Sequence, residues 1–438
     1  MVSARDSRSV PGVAVGVVID GSESYATGGV TNVEHPLPVT IDTLFQLGSV
    51  SKTFTATAAM ALVERNELAL GDRVAPLLRG VDLGEAASSL TVEHLLSHRG
   101  GWQGDWALFN APASRESAAL AELASQARTV PRYGPPGGPF SYDNFGWCVL
   151  GALIESVTDL NFDAAIAELV LRPLGLHGTT FWADDAITHR VSAGHSVGQD
   201  GTLLVARGTE PWADRWPCRR ALWPTGGVVS SVSDLLAWAQ FHLTGETRAG
   251  GTSPLSDRGR LAMQEPLVPS GGQGLRAGLG WHLRYASGLA LLSHTGAGQG
   301  FFAQVVVVPA CGSVMVALAN SSAGPDFVDS VFDWYLQALG TKADPVEYVT
   351  PRVNPAALEG TYRAVTRELQ LTDATDKTIR VEVVDSGPTW HGTTSSTLGF
   401  VGEDALVGID EPDVRMQVGS LAGGKRWVRF RGRIHIED

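Results

Sequence analysis

The sequence predicts an α/β protein: an antiparallel sheet flanked by helices, interrupted by an inserted all-helical region and followed by a small C-terminal all-β domain. Three observations lead there. Strand-like stretches occupy both ends of residues 11–320, the residues between, about 70–215, read as helices and loops, and apolar and polar residues alternate through most of the chain beyond Pro345. With 438 residues, 44% of them apolar, and 51 glycines and 23 prolines, the chain is long enough for more than one domain and rich in tight turns. We divide it into a catalytic domain at 1–345, with the helical region at about 70–215, and a barrel-like domain at 346–438.

Val13–Ile19 is a β-branched run, Asp20-Gly21 is a two-residue hairpin signal, and Tyr25–Val30 resumes the strand pattern. Ser49–Asn66 carries Ala, Met and Leu on one face and stops before Gly71, so it reads as a helix with Ser49 in its first turn. Thr91–Ser97, Ser117–Ala127 and Gly146–Val157 supply helices to the insertion, punctuated by the loop Pro135-Pro-Gly-Gly-Pro139. Strand character returns at Leu279–Tyr285, Leu289–Ser293, Phe301–Val308 and Ser313–Asn320, an antiparallel meander closed by a helix over Asp326–Leu339. Ile379–Val384 and Lys425–Phe430 alternate as strands of an open barrel do.

A net charge of −13 argues against nucleic acid or an anionic membrane as partner, which leaves small molecules. Met1–Val10 is polar and lacks the layout of a signal peptide, and the longest apolar runs, such as Val305–Pro309, cannot span a bilayer, so a cytoplasmic location is expected. Cys148, Cys218 and Cys311 are scattered with no CxxC spacing and read as free thiols. His94 and His98 stand four apart but have no third ligand, and neither metal nor cofactor is expected. The oligomeric state is left open by the sequence.

Of the 33 basic residues four are lysine, and Lys52 is the only lysine before residue 342. Arginine holds its proton at any ordinary pH, whereas a buried lysine can lose one, so a retained lysine marks a place where a proton moves. Lys52 follows Ser49 by three positions, which on a helix stacks the two side chains on one face, where the amine can activate the hydroxyl. An ordinary capped helix start would look the same.

Two further elements carry chemistry. In Ser141-Tyr142-Asp143-Asn144 the tyrosine can shuttle a proton if a nearby cation acidifies its phenol, and the asparagine can orient a lysine or bind a substrate amide; a turn with a capping Asn is the plainer alternative. In Ser293-His294-Thr295-Gly296-Ala297, at the end of an edge strand, Gly296 permits close approach and the next N–H can donate to an oxyanion, although any strand ending in a Gly-rich turn shares the pattern. Trp102, Trp106, Trp212, Trp216 and Trp223 fall in loop-like segments near these elements, where core packing competes with an aromatic-lined pocket.

In this order, with gaps of about 90 and 150 residues, the three elements are far more specific than any one alone. The chain resembles the serine β-lactamase and penicillin-binding protein superfamily, in its class C-like branch of esterases, D-peptidases and transesterases. The likeness covers residues 10–340 and includes Val10-Pro-Gly-Val-Ala14, Asp42-Thr-Leu-Phe-Gln46, Leu95-Leu-Ser-His98, Arg172-Pro-Leu-Gly-Leu176 and the stretch from Gly226 to Asp234. It implies a β-lactamase-like fold, with Ser49 as acylated nucleophile, Lys52 and Tyr142 as proton-transfer pair, Asn144 as positioning residue and His294 beside the leaving group or carboxylate. Thr295 and Gly296 would line the substrate, and the N–H groups of Ser49 and Ala297 would form the oxyanion hole.

Many β-lactam-binding members carry lysine where this chain has His294, so the resemblance points toward the esterase-like members. No counterpart of the class A water-activating glutamate is present, which leaves deacylation to Tyr142 and Lys52. The expected activity is hydrolysis of a small-molecule ester or amide through an acyl-enzyme. The alternatives are a biosynthetic transacylase that passes the acyl group to an amine or alcohol, and a non-catalytic penicillin-binding or sensor protein.

Overall fold

The computed structural model describes residues 9–113, 117–198, 200–206, 218–248, 250–271, 274–342, 344–352, 354–386, 391–411, 414–421 and 424–438. Its main sheet has eight strands: β1 (Gly12–Ile19) and β2 (Ser22–Gly29) from the start of the chain, and, after three short strands β3 (Leu44–Gln46), β4 (His195–Val197) and β5 (Leu203–Val205) and a fourth, β6 (Val229–Ser231), a run of six. These are β7 (Val268–Pro269), β8 (Arg276–Ala277), β9 (His282–Ala286), β10 (Leu289–Gly298), β11 (Phe301–Val308) and β12 (Ser313–Ala319), in the spatial order β2-β1-β12-β11-β10-β9-β8-β7. All pairs are antiparallel.

The period of two sets what each strand face meets. In β1, Val13, Val15 and Val17 pack against the closing helix α4 (Gly324–Ala338) through Phe327, Val331 and Tyr335, while Ala14 and Val18 join the larger core on the opposite face. Strands β11 and β12 divide the same way, Val306 and Met315 to one side and Val305 and Val316 to the other. Asp20 and Gly21 both take positive φ, 51° and 73°, between the paired Ile19 and Ser22, the two-residue turn that their identities foretold.

The larger core is built around helix α1 (Ser51–Glu64), apolar or small on nearly every side and buried from Ser51 to Leu62. Its threonines are satisfied internally; Thr53 and Thr57 donate to the carbonyls of Val50 and Thr53 at 2.8 and 2.9 Å. Helices α2 (Asn144–Thr158) and α3 (Val232–Thr244) flank it, and a Cβ on Gly151 of α2 would come within 2.2 Å of Pro224. The expected helix over 49–66 therefore divides: Gly48–Val50 is a 3₁₀ turn, because Gly48 sits at φ 51° against the backbone of Ala297, and the α-helix begins only at Ser51.

Three other expectations change. Residues 70–215 contain mostly short helices, but also the hairpin of β4 and β5. Strand β10 does not stop at Ser293; it runs to Gly298 because His294–Gly298 continue to pair with β11. The C-terminal strands form a closed barrel rather than an open one. They are β13 (Gly360–Ala364), β14 (Arg367–Thr372), β15 (Thr378–Ser386), β16 (His391–Phe400), β17 (Ala405–Gly408), β18 (Arg415–Ser420), β19 (Arg426–Phe430) and β20 (Arg433–Glu437). Pairing of Tyr362 with Glu437 shuts the ring, and Tyr362, Leu371, Val381, Phe400, Val428 and Phe430 belong to the cluster that packs it. Among the described residues no helix is long and apolar enough to cross a membrane.

Candidate active site

Ser49 is half-buried in the 3₁₀ turn at the head of α1, and Lys52 is wholly buried in the first turn of that helix. Lys52 Nζ lies 3.3 Å from Ser49 Oγ and donates to the carbonyl of Thr225 at 2.8 Å. Burial lowers its pKa from 10.5 to about 7; the charge of Arg433 pushes the same way, against Cys148, Asp105 and Asp143. A large share of Lys52 is thus neutral near neutrality, and in that form its amine, 3.3 Å from Ser49 Oγ, can accept the hydroxyl proton.

Tyr142 lies on the segment that leads into α2, and its phenol is close to Ser49. Lys52 Nζ stands 4.7 Å from its ring centroid and Arg433 Cζ 4.6 Å, yet the phenol is not acidified. Burial outweighs both the nearby Ser49 hydroxyl and the Arg433 charge and raises the pKa above the ordinary tyrosine value. Tyr142 is therefore a neutral donor at rest, and Lys52 is the group ready to accept a proton.

Asn144 opens α2, whose N-cap is Asp143, accepting from the Gly146 N–H at 2.8 Å. The expectation that Asn144 orients the lysine directly changes in detail. Its Nδ2 donates to Asp105 at 2.7 Å and its Oδ1 accepts from the Thr225 hydroxyl at 2.6 Å, so its link to Lys52 runs through Thr225. Asp143 itself is buried, and burial raises its pKa to about 7.

The third element comes alongside on β10. Pairing of β9 with β10 ends at Ser293 opposite His282, so residues 294–298 keep one edge clear of β9, and that edge meets the Ser49 turn. A Cβ on Gly296 would fall 1.9 Å from the Leu47 carbonyl oxygen and 2.9 Å from the Ser49 nitrogen; one on Gly48 would fall 2.8 Å from the Ala297 nitrogen. Two glycines thus let the backbone around Ala297 approach that of the Ser49 turn closely. Gly296→Ala is expected to push β10 off the serine turn and to lower any activity that runs through Ser49 by about 10²-fold or more, as measured by kcat/KM.

Thr295 and Ala297 are exposed, whereas His294 turns inward, 2% exposed, with Nδ1 2.7 Å from the Thr295 carbonyl and Nε2 without a partner. Its ring centroid is 5.0 Å from His282 and 6.4 Å from Tyr142, and His98 stacks on Tyr142 at 4.5 Å. Burial lowers all three imidazoles, His282 to about 4 and the other two well below the ordinary value, so this side of the site is uncharged. His98 accepts from the Asp143 N–H at 2.9 Å, whereas His94 takes part in a helix cap with Thr91.

The structure therefore brings Ser49, Lys52, Tyr142, Asn144 and the 294–297 strand to one place. Sequence reading did not find Thr225, Asp105, His282 or Arg433. Thr225 abuts the Gly226 stretch that carried the resemblance, but the other three belong to no spacing pattern that could have revealed them. Among the tryptophans, Trp102 is buried and donates to the Ala127 carbonyl at 3.3 Å, Trp106 packs edge-on against Phe145, and Trp223 is buried with its Nε1 on the Cys218 carbonyl. These are packing roles; Trp212 and Trp216 lie outside the described residues.

The chain is similar to several known proteins. The family model described as Beta-lactamase matches residues 1–339. Penicillin-binding protein 4 of Amycolatopsis lactamdurans is 31% identical over 373 residues, which cover 82% of this chain and 94% of that protein. An unguisins hydrolase of Aspergillus campestris is 25% identical over 345 residues, 76% of this chain and 62% of the fungal protein. Among solved structures, SurE superposes with a TM-score of 0.75 at 25% identity, covering 100% of this chain and 97% of SurE, and SurE with D-Leu gives 0.72.

Proposed function

We propose, from the premise that this chain belongs to the Beta-lactamase family of serine acyl-transfer enzymes, that it hydrolyses a small-molecule ester or amide through an acyl-enzyme at Ser49. The observation that carries this reading is the fully buried Lys52 facing the Ser49 hydroxyl at 3.3 Å, where burial brings its pKa down to about 7. In the first half-reaction Ser49 Oγ attacks the substrate carbonyl while Lys52 Nζ takes its proton. The developing oxyanion is held by the N–H groups of Ser49 and Ala297. As the tetrahedral intermediate collapses, Tyr142 protonates the leaving group and recovers its proton from the Lys52 ammonium. In the second half, water attacks the acyl-enzyme carbonyl while Lys52 takes the water's proton, and as the intermediate collapses the Lys52 ammonium returns that proton to Ser49 Oγ, which leaves as the free hydroxyl.

The neutral imidazoles around His294 offer no cation to a substrate carboxylate, which favours an uncharged ester or amide over a β-lactam anchored by its carboxylate. The structure of SurE with D-Leu supports testing esters of D-amino acids, and the name of the unguisins hydrolase supports hydrolysis as the outcome. Matched D- and L-substrates, with and without an added amine, measure both stereochemistry and fate. A dominant hydrolysis product is expected, and quantitative transfer to the amine would replace hydrolysis by transacylation.

Because the competent form of Lys52 is the free base, with a pKa near 7, kcat/KM is expected to rise with pH through about 7 and then level off. An acid limb near the ordinary lysine value would contradict a neutral Lys52 in the folded enzyme.

A further inference from the structure

The turn between β19 and β20 contains only Arg431 and Gly432, both at positive φ (46° and 76°), with Phe430 paired to Arg433. This tight hairpin presses against the segment that carries Tyr142. The Gly432 carbonyl accepts the Tyr142 N–H at 2.8 Å, the Ser141 hydroxyl accepts the Ile434 N–H at 3.1 Å, and Arg429 Nε donates to the Phe140 carbonyl at 2.8 Å. Arg433 goes further in. Its guanidinium covers the Tyr142 ring and holds Asp105 in a two-pronged pair, Nε to Oδ2 at 2.8 Å and Nη2 to Oδ1 at 3.2 Å.

From that pair a chain of hydrogen bonds reaches the lysine. Asp105 accepts from Asn144 at 2.7 Å, Asn144 accepts from the Thr225 hydroxyl at 2.6 Å, and the Thr225 carbonyl accepts from Lys52 at 2.8 Å. We propose that Arg433, supplied by the C-terminal barrel, is a positioning residue for acyl transfer: it clamps Asp105, and so fixes Asn144, Thr225 and the aim of Lys52, while its planar face holds the Tyr142 ring. The barrel is then part of the catalytic apparatus rather than an appendage. Arginine suits both tasks, because its donor fork matches a carboxylate and its flat cation stacks on an aromatic face, whereas lysine offers one point charge. Asp105 stays ionised, since the Arg433 charge and the hydrogen bonds from Arg433 and Asn144 overcome the upward push of burial.

This inference rests on the reading of Ser49 and Lys52 given above. It is tested in the full-length chain with Arg433→Met, Arg433→Lys and Asp105→Asn, by single-turnover acylation, steady-state ester hydrolysis and thermal unfolding. Arg433→Met and Asp105→Asn are each expected to slow acylation about 30- to 100-fold. KM is expected to stay within about threefold, the double variant to be no slower than the slower single, and Arg433→Lys to fall between wild type and Arg433→Met. Wild-type acylation rates in folded Arg433→Met and Asp105→Asn overturn the proposal, as does a loss that merely tracks the unfolded fraction. If Arg433→Met does not fold, Asp105→Asn and Arg433→Lys decide. Ser49→Ala separates the two levels: turnover surviving in it sinks the nucleophile reading, whereas an inactive Ser49→Ala beside a fully active Arg433→Met sinks only the role of the barrel.

Discussion

Ser49→Ala is expected to lower ester turnover by on the order of 10⁴- to 10⁶-fold while leaving the fold and its thermal transition nearly unchanged. The side chain sits half-buried at the mouth of the site, so the lost hydroxyl opens no internal cavity. What disappears is the atom that bonds to the acyl carbon; the paired amides of Ser49 and Ala297 remain, so the small residual rate reports their contribution. The measurement is kcat/KM for an activated ester, with circular dichroism as the folding control.

Lys52→Arg comes next in size. The substitution keeps a basic side chain of similar length, yet about a 10³-fold loss in kcat/KM is expected, because guanidinium cannot surrender its proton to act as base at any working pH. Sterics add to the chemistry: Lys52 is fully buried between Ser49, the Thr225 carbonyl and the Tyr142 ring, and the wider arginine head cannot take the same place. Raising the pH is not expected to rescue the variant. Because Ser49 and Lys52 act in one step, the double variant should be little slower than Ser49→Ala alone. Near wild-type rates in Lys52→Arg would require another base.

The scarcity of lysine made Lys52 conspicuous in the sequence, and helical spacing tied it to Ser49. The same arithmetic placed Tyr142 and the 294–297 strand beside them only through resemblance, since no periodicity links elements so far apart. Strands were legible where both faces are buried, as in β1, β11 and β12, because continuous β-branched runs leave little choice of conformation. The end of β10 was misread because Gly296 and Gly298 look like a turn, whereas the lack of a side chain at Gly296 is what lets the strand lie against the serine turn. Barrel closure depends on the pairing of β13 with β20, a contact between the two ends of the domain that local patterning does not encode. The state of Tyr142 was hidden for a related reason: whether nearby cations or burial prevail is settled only by how deeply the fold encloses the ring. Arg433 and Asp105 carry no motif at all; 328 residues separate them, and only docking of the barrel brings them together.

Acid-quenched intact-protein mass spectrometry with an ester whose acyl-enzyme hydrolyses slowly, followed by peptide mapping, decides whether acyl transfer runs through Ser49. The mass of the acyl group should appear on the peptide containing Ser49 at the rate of the product burst, slow together with that burst below pH 7, and be absent from Ser49→Ala. Steady turnover with no adduct, or an adduct on any other residue, would contradict it.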